Sequence, residues 1–135
     1  MPQQLYAAVS PLLRLLRSAR SISPGKLGIL HCLSSEGRAS AARLSQAIGV
    51  SQQAISLTTK ELEGLGFIER QRDEADRRKQ WFHLTEAGQH KLEAEIQLGH
   101  LALAEAIGDR LDPQDMQLIH AALPALQKIT AAVRP

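Results

Sequence analysis

The chain has 135 residues, which suits one domain and argues against a multidomain enzyme. Hydrophobic residues make up 44% of the sequence and charged residues 22%, so the chain can bury a core and is not compositionally disordered. The net charge of +2 is unevenly spread: residues 1–35 carry four basic side chains and no acidic one, whereas residues 85–135 carry four basic and seven acidic ones. The last third is therefore a poor candidate for binding a polyanion.

The composition also predicts the fold class and the compartment. Aromatic residues are only 3% of an Ala- and Leu-rich sequence, which favours packed helices over a β-sandwich or barrel. We therefore expect a mainly α protein. No apolar run approaches the roughly 20 residues that span a bilayer, and the N-terminus lacks a signal-peptide pattern. A single cysteine, Cys32, excludes an internal disulfide framework and fits a reducing compartment, so a cytoplasmic protein is expected.

Two helices are predicted at the start of the chain. Residues 3–18 carry apolar side chains at spacings near three and four, which is typical of an amphipathic helix. Pro11 interrupts this pattern: either Ser10 caps a second segment or the helix is kinked. Ser23 and Pro24 then form an N-cap followed by proline at the first helical position, and they open a second helix that ends near Gly37.

A helix-turn-helix layout follows. Ser40 is positioned to cap a short third helix that Gly49 ends, and Ser51 to cap a fourth helix over about residues 52–64. Two short helices joined by a tight turn containing glycine are typical of DNA-binding helix-turn-helix motifs. The spacing alone fits a structural helical hairpin equally well.

The pattern changes from helical to alternating after Gly66. Residues 67–72 and 79–84 are predicted strands, joined by a charged loop over residues 73–78. Five of the ten side chains at residues 70–79 are basic, so the tip of this β-hairpin is polar and cationic. By itself such a loop is more often a solvated surface, but directly after a helix-turn-helix it is a candidate wing.

Two further helices are predicted in the last third. A long helix runs from Thr85 to about Asp109, and Asp112 caps a last helix with Pro113 at its first position. The last helix has an apolar stripe formed by Met116, Ile119, Leu123, Leu126 and Val133. Together with the first helix, these helices have more apolar surface than one small domain needs, so a partner subunit is expected to cover them. The alternative is that they pack back on their own domain.

Several motifs in this order resemble the multiple antibiotic resistance regulator (MarR) family of bacterial transcription factors. The resemblance covers nearly the whole chain and is most specific in four segments: LSQAIGVS at residues 44–51, LEGLGFIER at 62–70, DRR at 76–78 and LTEAG at 84–88. An acid, any residue and an arginine, followed by a Leu-Thr-x-x-Gly entry to the next helix, is fairly specific in combination.

The resemblance implies one MarR-like domain, a winged helix-turn-helix with a two-stranded β-wing and N- and C-terminal dimerisation helices. Its parts would be dimerisation helices at 1–22 and 109–135, a winged helix-turn-helix core at 24–84 and a long linking helix at 85–108. Such proteins bind pseudo-palindromic promoter DNA as homodimers, mostly as repressors, and many release it in response to a small molecule or an oxidant. The resemblance implies no cofactor.

The fourth helix is then the recognition helix. Short or planar polar side chains at its N-terminal end suit contacts to base edges in the major groove. Ser51, Gln52, Gln53 and Ser56 are the candidates for base contacts, and Thr59 and Lys60, farther along, for phosphate contacts. Leu57 departs from the family, which often has a polar or basic residue there.

The charged loop supplies the second set of candidates. Arg78 is the best candidate for insertion into the minor groove, where narrow A·T-rich stretches concentrate negative potential. Arg72, Arg77 and Lys79 are candidates for phosphate contacts. The family resemblance implies that Asp76 holds a wing arginine by a charge-assisted bond and so orders the hairpin.

Other chemistries have weaker support. Cys32 is a candidate redox switch, but it lies beside Leu30 and Leu33 in a predicted apolar helix, where a free cysteine is often simply buried. The five histidines form no recognisable metal motif, and no catalytic motif is present. Two alternatives to the regulator remain open: a winged-helix module that binds an acidic protein partner, and a sensor with weak or no specific DNA binding.

Overall fold

The structure is a computed structural model that describes residues 1–131. Within these residues the chain forms six helices and one two-stranded antiparallel sheet, which confirms the mainly α class. The elements in chain order are α1 (Pro2–Ala19), α2 (Pro24–Glu36), α3 (Ala41–Ile48), α4 (Gln52–Gly64), β1 (Ile68–Arg72), β2 (Gln80–Leu84), α5 (Glu86–Arg110) and α6 (Pro113–Ala131). Val133, at the end of the predicted apolar stripe, lies outside the described residues.

The predicted N-caps set where the helices of the core begin. The hydroxyl oxygens of Ser23, Ser40 and Ser51 accept hydrogen bonds from backbone N–H groups three residues later, at 3.3, 3.1 and 3.1 Å. Each serine thus satisfies one of the donors that the first turn leaves unpaired. These caps confirm the predicted starts of α2, α3 and α4.

Gly49 sets the turn between α3 and α4. Its φ of +76° and ψ of +32° are left-handed, a conformation that favours glycine, and its N–H donates to the carbonyl oxygen of Ser45 at 2.9 Å. Only residues 49–51 separate the two helices. The predicted helix-turn-helix is therefore confirmed.

The first helix differs from one of the two predicted alternatives. α1 continues from Pro2 to Ala19 with Pro11 inside it, so a separate segment capped by Ser10 does not form. Proline within a helix removes one backbone hydrogen bond but leaves the flanking turns intact.

The sheet is a short hairpin extended by one bridge. β1 pairs with β2 so that Ile68 faces Leu84 and Arg72 faces Gln80. Ala39, just before α3, also exchanges two backbone hydrogen bonds with Phe82, at 3.1 and 2.9 Å. This bridge, which the sequence pattern does not indicate, attaches the base of the hairpin to the helix-turn-helix.

The core lies between α2, α3, α4 and the hairpin. Its buried apolar side chains are Ile29, Leu30, Leu33, Ala39, Leu44, Ile55, Leu62, Ile68, Phe82 and Leu92. All but Leu92 belong to residues 24–84. Neither α1 nor α6 has a buried residue, so both flanking helices stand outside this core.

The start of α5 is fixed against the connection between α4 and β1. The Thr85 side chain caps α5 by accepting from Gly88 N–H at 3.0 Å, and Thr85 N–H donates to the Phe67 carbonyl oxygen at 3.1 Å. Gly88 packs directly on this connection, because a Cβ there would lie only 1.9 Å from the same Phe67 oxygen.

A polar cluster around one buried carboxylate joins the segment after α1 to α5. The carboxylate of Glu95, which is fully buried, accepts hydrogen bonds from the backbone N–H and hydroxyl of Ser21 and pairs with Lys91 at 3.0 Å. Burial raises the pKa of Glu95, but the Ser21 and Lys91 contacts together outweigh burial and leave the pKa lowered.

No helix within residues 1–131 has the length and apolar character to span a membrane.

Candidate nucleic-acid interface

The recognition helix α4 buries one face and exposes the other. Ile55, Thr59 and Leu62 are buried, and they recur at spacings of four and three, which places them on one side of the helix. The side chains predicted to contact bases lie on the exposed side: Ser51, Gln52, Gln53 and Ser56. Lys60 is exposed as well. The polar N-terminal end of α4 is therefore free to meet a ligand.

Thr59 is a correction to the predicted interface. Its side chain is fully buried, and its hydroxyl donates to the carbonyl oxygen of Ile55 at 2.8 Å. A phosphate contact by Thr59 is therefore wrong. The spacing gives the physical reason, since Thr59 follows Ile55 by four residues and precedes Leu62 by three, which puts it on the core side of the helix.

The wing carries unneutralised positive charge. Arg72, Arg77, Arg78 and Lys79 are all exposed, and within the described residues none of them forms an ion pair. By contrast, Arg43 and Arg70 are paired with Glu36 and Glu63 at 2.7 Å. These four free cations thus lie in and beside the loop, where the sequence predicts phosphate and minor-groove contacts.

Asp76 orders the loop through the backbone. Its carboxylate accepts from the N–H of Arg78 at 3.0 Å, and its carbonyl oxygen accepts from the N–H of Lys79 at 2.9 Å. The predicted charge-assisted bond to a wing arginine is thus made to the backbone N–H of Arg78 and not to its guanidinium. In a tight turn, a short acidic side chain readily reaches a backbone N–H two residues ahead. The guanidinium of Arg78 therefore stays free.

Asp73 is a second wing-ordering residue, and the sequence analysis missed it. Its carboxylate accepts from the N–H groups of Ala75 at 2.8 Å and Asp76 at 3.4 Å, and from the indole N–H of Trp81 at 3.0 Å. The Trp81 hydrogen bond, followed by the two backbone bonds, lowers the pKa of Asp73. Aspartate at the first position of a loop is a typical turn signal and could have identified it.

Trp81 connects the wing loop to the rest of the domain. The guanidinium of Arg38, in the segment between α2 and α3, lies 4.3 Å from the centre of the Trp81 ring. This cation–π contact holds the ring on one side, while the hydrogen bond to Asp73 holds its indole nitrogen. Trp81 thus links the wing loop to the segment before α3.

Arg70 fixes the wing against the recognition helix. Its guanidinium pairs with Glu63 of α4 at 2.7 Å, donates to Gln80 of β2 at 2.6 Å and lies 5.0 Å from the centre of the Phe82 ring. One side chain therefore contacts α4 and both strands. The sequence places Arg70 in the basic cluster but does not indicate this contact.

A cleft separates α4 from the wing. It has a volume of about 420 Å³, with Ser40 and Ser56 on the helix-turn-helix side and Arg78, Lys79 and Trp81 on the wing side. The site therefore combines hydroxyl groups and cations around one groove.

Cys32 lacks the surroundings of a reactive thiol. It is half-buried in α2, and burial, followed by the nearby Glu36 carboxylate, raises the pKa of its thiol. A raised pKa disfavours the thiolate that reacts with oxidants. Among residues 1–131, no group of three or more His, Cys, Asp and Glu side chains is positioned to hold a metal ion.

The fold and the site define a winged helix-turn-helix protein, and comparison with known proteins shows which family its central segment is similar to. Residues 22–79 match the sequence model of the MarR family. No protein of curated function is similar enough in sequence to match. The matched segment contains the helix-turn-helix and most of the wing, so the comparison supports a winged-helix regulator of the MarR type, as the motifs predict.

Three solved structures have the same fold over nearly the whole chain. A point mutant of MarR from Escherichia coli superposes with a TM-score of 0.82 at 18% identity, over 94% of this chain and 96% of that one. The transcriptional regulator Tm0710 from Thermotoga maritima gives 0.73 at 23% identity, over 96% of both chains. BpsR from Bordetella bronchiseptica gives 0.67 at 19% identity, over 93% of this chain and 97% of that one.

Proposed function

We propose that the protein is a homodimeric repressor that binds pseudo-palindromic promoter DNA through residues 40–84. The main support is that the exposed polar end of α4 and four unpaired wing cations flank the same part of the molecule. Positive charge supplies affinity for the phosphate backbone, and amide and hydroxyl groups supply contacts to base edges. Because its target is promoter DNA, the protein acts in the cytoplasm, by binding and not by catalysis.

The proposed contacts follow the exposed groups. Gln52 and Gln53 suit bidentate hydrogen bonds to adenine, while the Ser51 and Ser56 hydroxyls serve several bases. Arg78 enters the minor groove. Lys60, Arg72, Arg77 and Lys79 contact phosphates. Asp73 and Asp76 hold the loop that carries Arg78 and so reduce the conformational entropy lost on binding.

The dimer is proposed from the flanking helices at 1–22 and 109–135. The exposed large apolar side chains of α1 include Tyr6, Leu12 and Leu13, and those of α6 include Met116, Ile119 and Leu123. A two-fold dimer that covers them would present two recognition helices to successive major grooves, roughly 34–36 Å apart. The MarR mutant from Escherichia coli has also been solved in complex with operator DNA, with a TM-score of 0.66 to this chain.

A small-molecule signal is favoured over an oxidant, because the raised pKa of Cys32 disfavours oxidation. A cleft of about 280 Å³ between α1 and α2 has apolar walls that include Leu16 and Leu27, with Arg17 and Arg20 beside them. The Arg20 Nε is buried and has no hydrogen-bond partner among residues 1–131. These groups suit a small apolar acid. DNA binding by BpsR is regulated by 6-hydroxynicotinic acid, which is also a small carboxylic acid with a flat ring.

The effector class can be tested with matched probes. Benzoate should raise the melting temperature and release operator DNA, whereas benzamide, which has the same shape but no charge, should do neither. Equal effects of the two compounds would contradict an anion site at Arg17 and Arg20.

The DNA-binding role is tested by selecting bound sequences from random duplex DNA and titrating the selected site with salt. We expect an inverted repeat whose affinity falls steeply with salt concentration. Arg78→Ala should weaken binding at least about tenfold. Arg110→Ala removes the same charge outside residues 40–84, at the exposed end of α5, and the affinity should be unchanged as long as sedimentation shows that this variant is still a dimer.

A folded dimer that enriches no sequence would overturn the proposal. An unchanged affinity of Arg78→Ala would instead favour the alternative in which the cationic wing binds an acidic protein partner.

A further inference from the structure

Leu57 is an apolar side chain on the exposed face of the recognition helix. It is 62% exposed and lies opposite the buried residues Ile55 and Leu62. Gln53 precedes it by four residues and Lys60 follows it by three, so both lie beside it on the helix surface. Leu57 therefore occupies the middle of the face that would enter a major groove.

The surroundings of Leu57 are polar. The nearby Glu61 is paired with Lys26 at 3.2 Å, so its negative charge is partly neutralised and does not oppose an approaching phosphate backbone. A protein partner would need a contiguous apolar patch of several hundred Å². A single leucine among amide, hydroxyl and ammonium groups instead matches a small apolar group set among polar ones.

The major groove of DNA offers such a group. Hydrogen-bond donors and acceptors cover the base edges there, and the C5-methyl group of thymine is the apolar exception. A leucine that packs on this methyl group removes apolar surface of both partners from water. Cytosine, which lacks the methyl group, offers Leu57 no such contact.

We propose that Leu57 is a specificity-determining residue that contacts the C5-methyl group of one thymine in each operator half-site. This inference rests on the proposed function, since it requires α4 to enter the major groove. Leu57 would thus make an apolar contact at a position of α4 where a hydrogen bond from a polar residue would otherwise be expected. The selected operator should then contain an invariant T·A pair between the bases that Gln53 and Lys60 approach.

Deoxyuridine scanning tests this contact directly. Uracil pairs as thymine does but lacks the methyl group, so replacing the thymines of the selected operator one symmetric pair at a time isolates that group. For the wild-type protein, uracil at one symmetric pair of positions should weaken binding about fourfold for each methyl group lost. The two half-sites together should then lose roughly fifteenfold in affinity. Leu57→Ala should bind the thymine and uracil operators at that position with equal affinity.

Leu65→Ala is the matched control, because Leu65 is also an exposed leucine, 54% exposed, at the C-terminal end of α4. This variant should keep the wild-type sensitivity to uracil. Since Leu57 is exposed, Leu57→Ala should fold normally, which its melting temperature checks.

Three results would overturn the inference while leaving the regulator intact. They are half-sites without an invariant thymine, a wild-type protein insensitive to uracil at every position, and equal uracil sensitivity of the wild type and Leu57→Ala. In the last case Leu57 acts outside base contacts. Failure to select any operator would instead overturn the proposed function and this inference together.

Discussion

The core at residues 24–84 and the flanking helices α1 and α6 differ in how far they bury their apolar side chains. Nine of the ten buried core residues lie within residues 24–84, and neither α1 nor α6 has a buried residue. The core thus holds its interior within one chain. Burial of apolar surface is the dominant favourable term in folding, so α1 and α6 gain little of it in a single chain.

This difference separates two roles within one small protein. A self-contained core keeps α4 and the wing in a fixed relation, because Arg70 and the Ala39–Phe82 bridge tie the hairpin to the helices. The flanking helices instead leave apolar side chains exposed, which the second subunit of the proposed dimer would cover. Stability of the DNA-contacting unit and assembly of the proposed dimer should therefore respond to different substitutions.

The largest expected effect is the loss of the dimer. Ile119→Glu places a charge on the apolar side of α6, where Ile119 is 47% exposed in the single chain. Burying that charge in an interface is strongly unfavourable, so we expect monomers and an operator affinity lower by on the order of a thousandfold. Analytical ultracentrifugation and DNA titration measure the two effects.

Gln114→Glu is the control for this variant. It adds the same charge in the first turn of α6, where the helix dipole favours an acid. If Ile119→Glu remains a dimer, α6 does not form the interface.

The next largest effect concerns the point where α5 joins the core. Gly88→Ala would place a Cβ 1.9 Å from the Phe67 carbonyl oxygen, so the backbone must move. We expect a loss of about 3 kcal/mol in the free energy of unfolding, the upper range for overpacking. Denaturant titration measures it.

Gly25→Ala provides the comparison within the core, because no atom lies within 4 Å of its added Cβ. Its free energy of unfolding should change by less than about 1 kcal/mol. Equal losses for the two variants would show that the close approach at Gly88 is not the cause.

A smaller effect is expected at the junction of the two regions. Glu95→Ala removes the acceptor for the Ser21 N–H and the partner of Lys91, and should cost about 2 kcal/mol. Because folding lowers the pKa of Glu95, its contribution is present above the ordinary glutamate pKa and is lost as the pH falls through the lowered value. Thermal unfolding as a function of pH should show this loss in the wild type but not in the variant.

The matched residue for this comparison is Glu93, which is exposed on the same helix. Glu93→Ala should cost less than about 0.5 kcal/mol. An unchanged acid sensitivity of Glu95→Ala would assign that sensitivity to other carboxylates.

The smallest effect is expected in the wing. Asp73→Asn weakens the acceptor of three hydrogen bonds in an exposed loop, so the stability of the core should not change. Operator affinity should fall a few-fold, because a less ordered loop loses more entropy on binding. A loss of core stability, measured by thermal unfolding, would contradict this separation.

The sequence predicts elements where the signal is local. Ser23, Ser40 and Ser51 mark helix starts, and Gly49 marks the turn, because capping and left-handed backbone depend on neighbouring residues alone. The family resemblance adds the wing and the recognition helix. These signals together suffice for the fold.

Sequence-based predictions fail where a side chain has more than one possible contact. Thr59 is predicted to contact a phosphate, but its position on the helix turns it to the core, and the sequence does not indicate that Asp76 holds Arg78 through the backbone N–H. The contact of Glu63 with Arg70 joins residues whose proximity depends on how the hairpin packs on α4. Sequence patterns do not specify such distant geometry.

The two regions also carry separate chromophores. The chain has one tryptophan, Trp81, held between Arg38 and Asp73 at the wing, and one tyrosine, Tyr6, 75% exposed on α1. Unlabelled protein therefore contains an optical reporter for each region. Tryptophan emission should respond when DNA reorders the wing, and the ultraviolet absorbance of tyrosine should respond when a second subunit covers α1. Tryptophan emission can thus follow operator binding, and tyrosine absorbance can follow dissociation of the proposed dimer in samples without DNA.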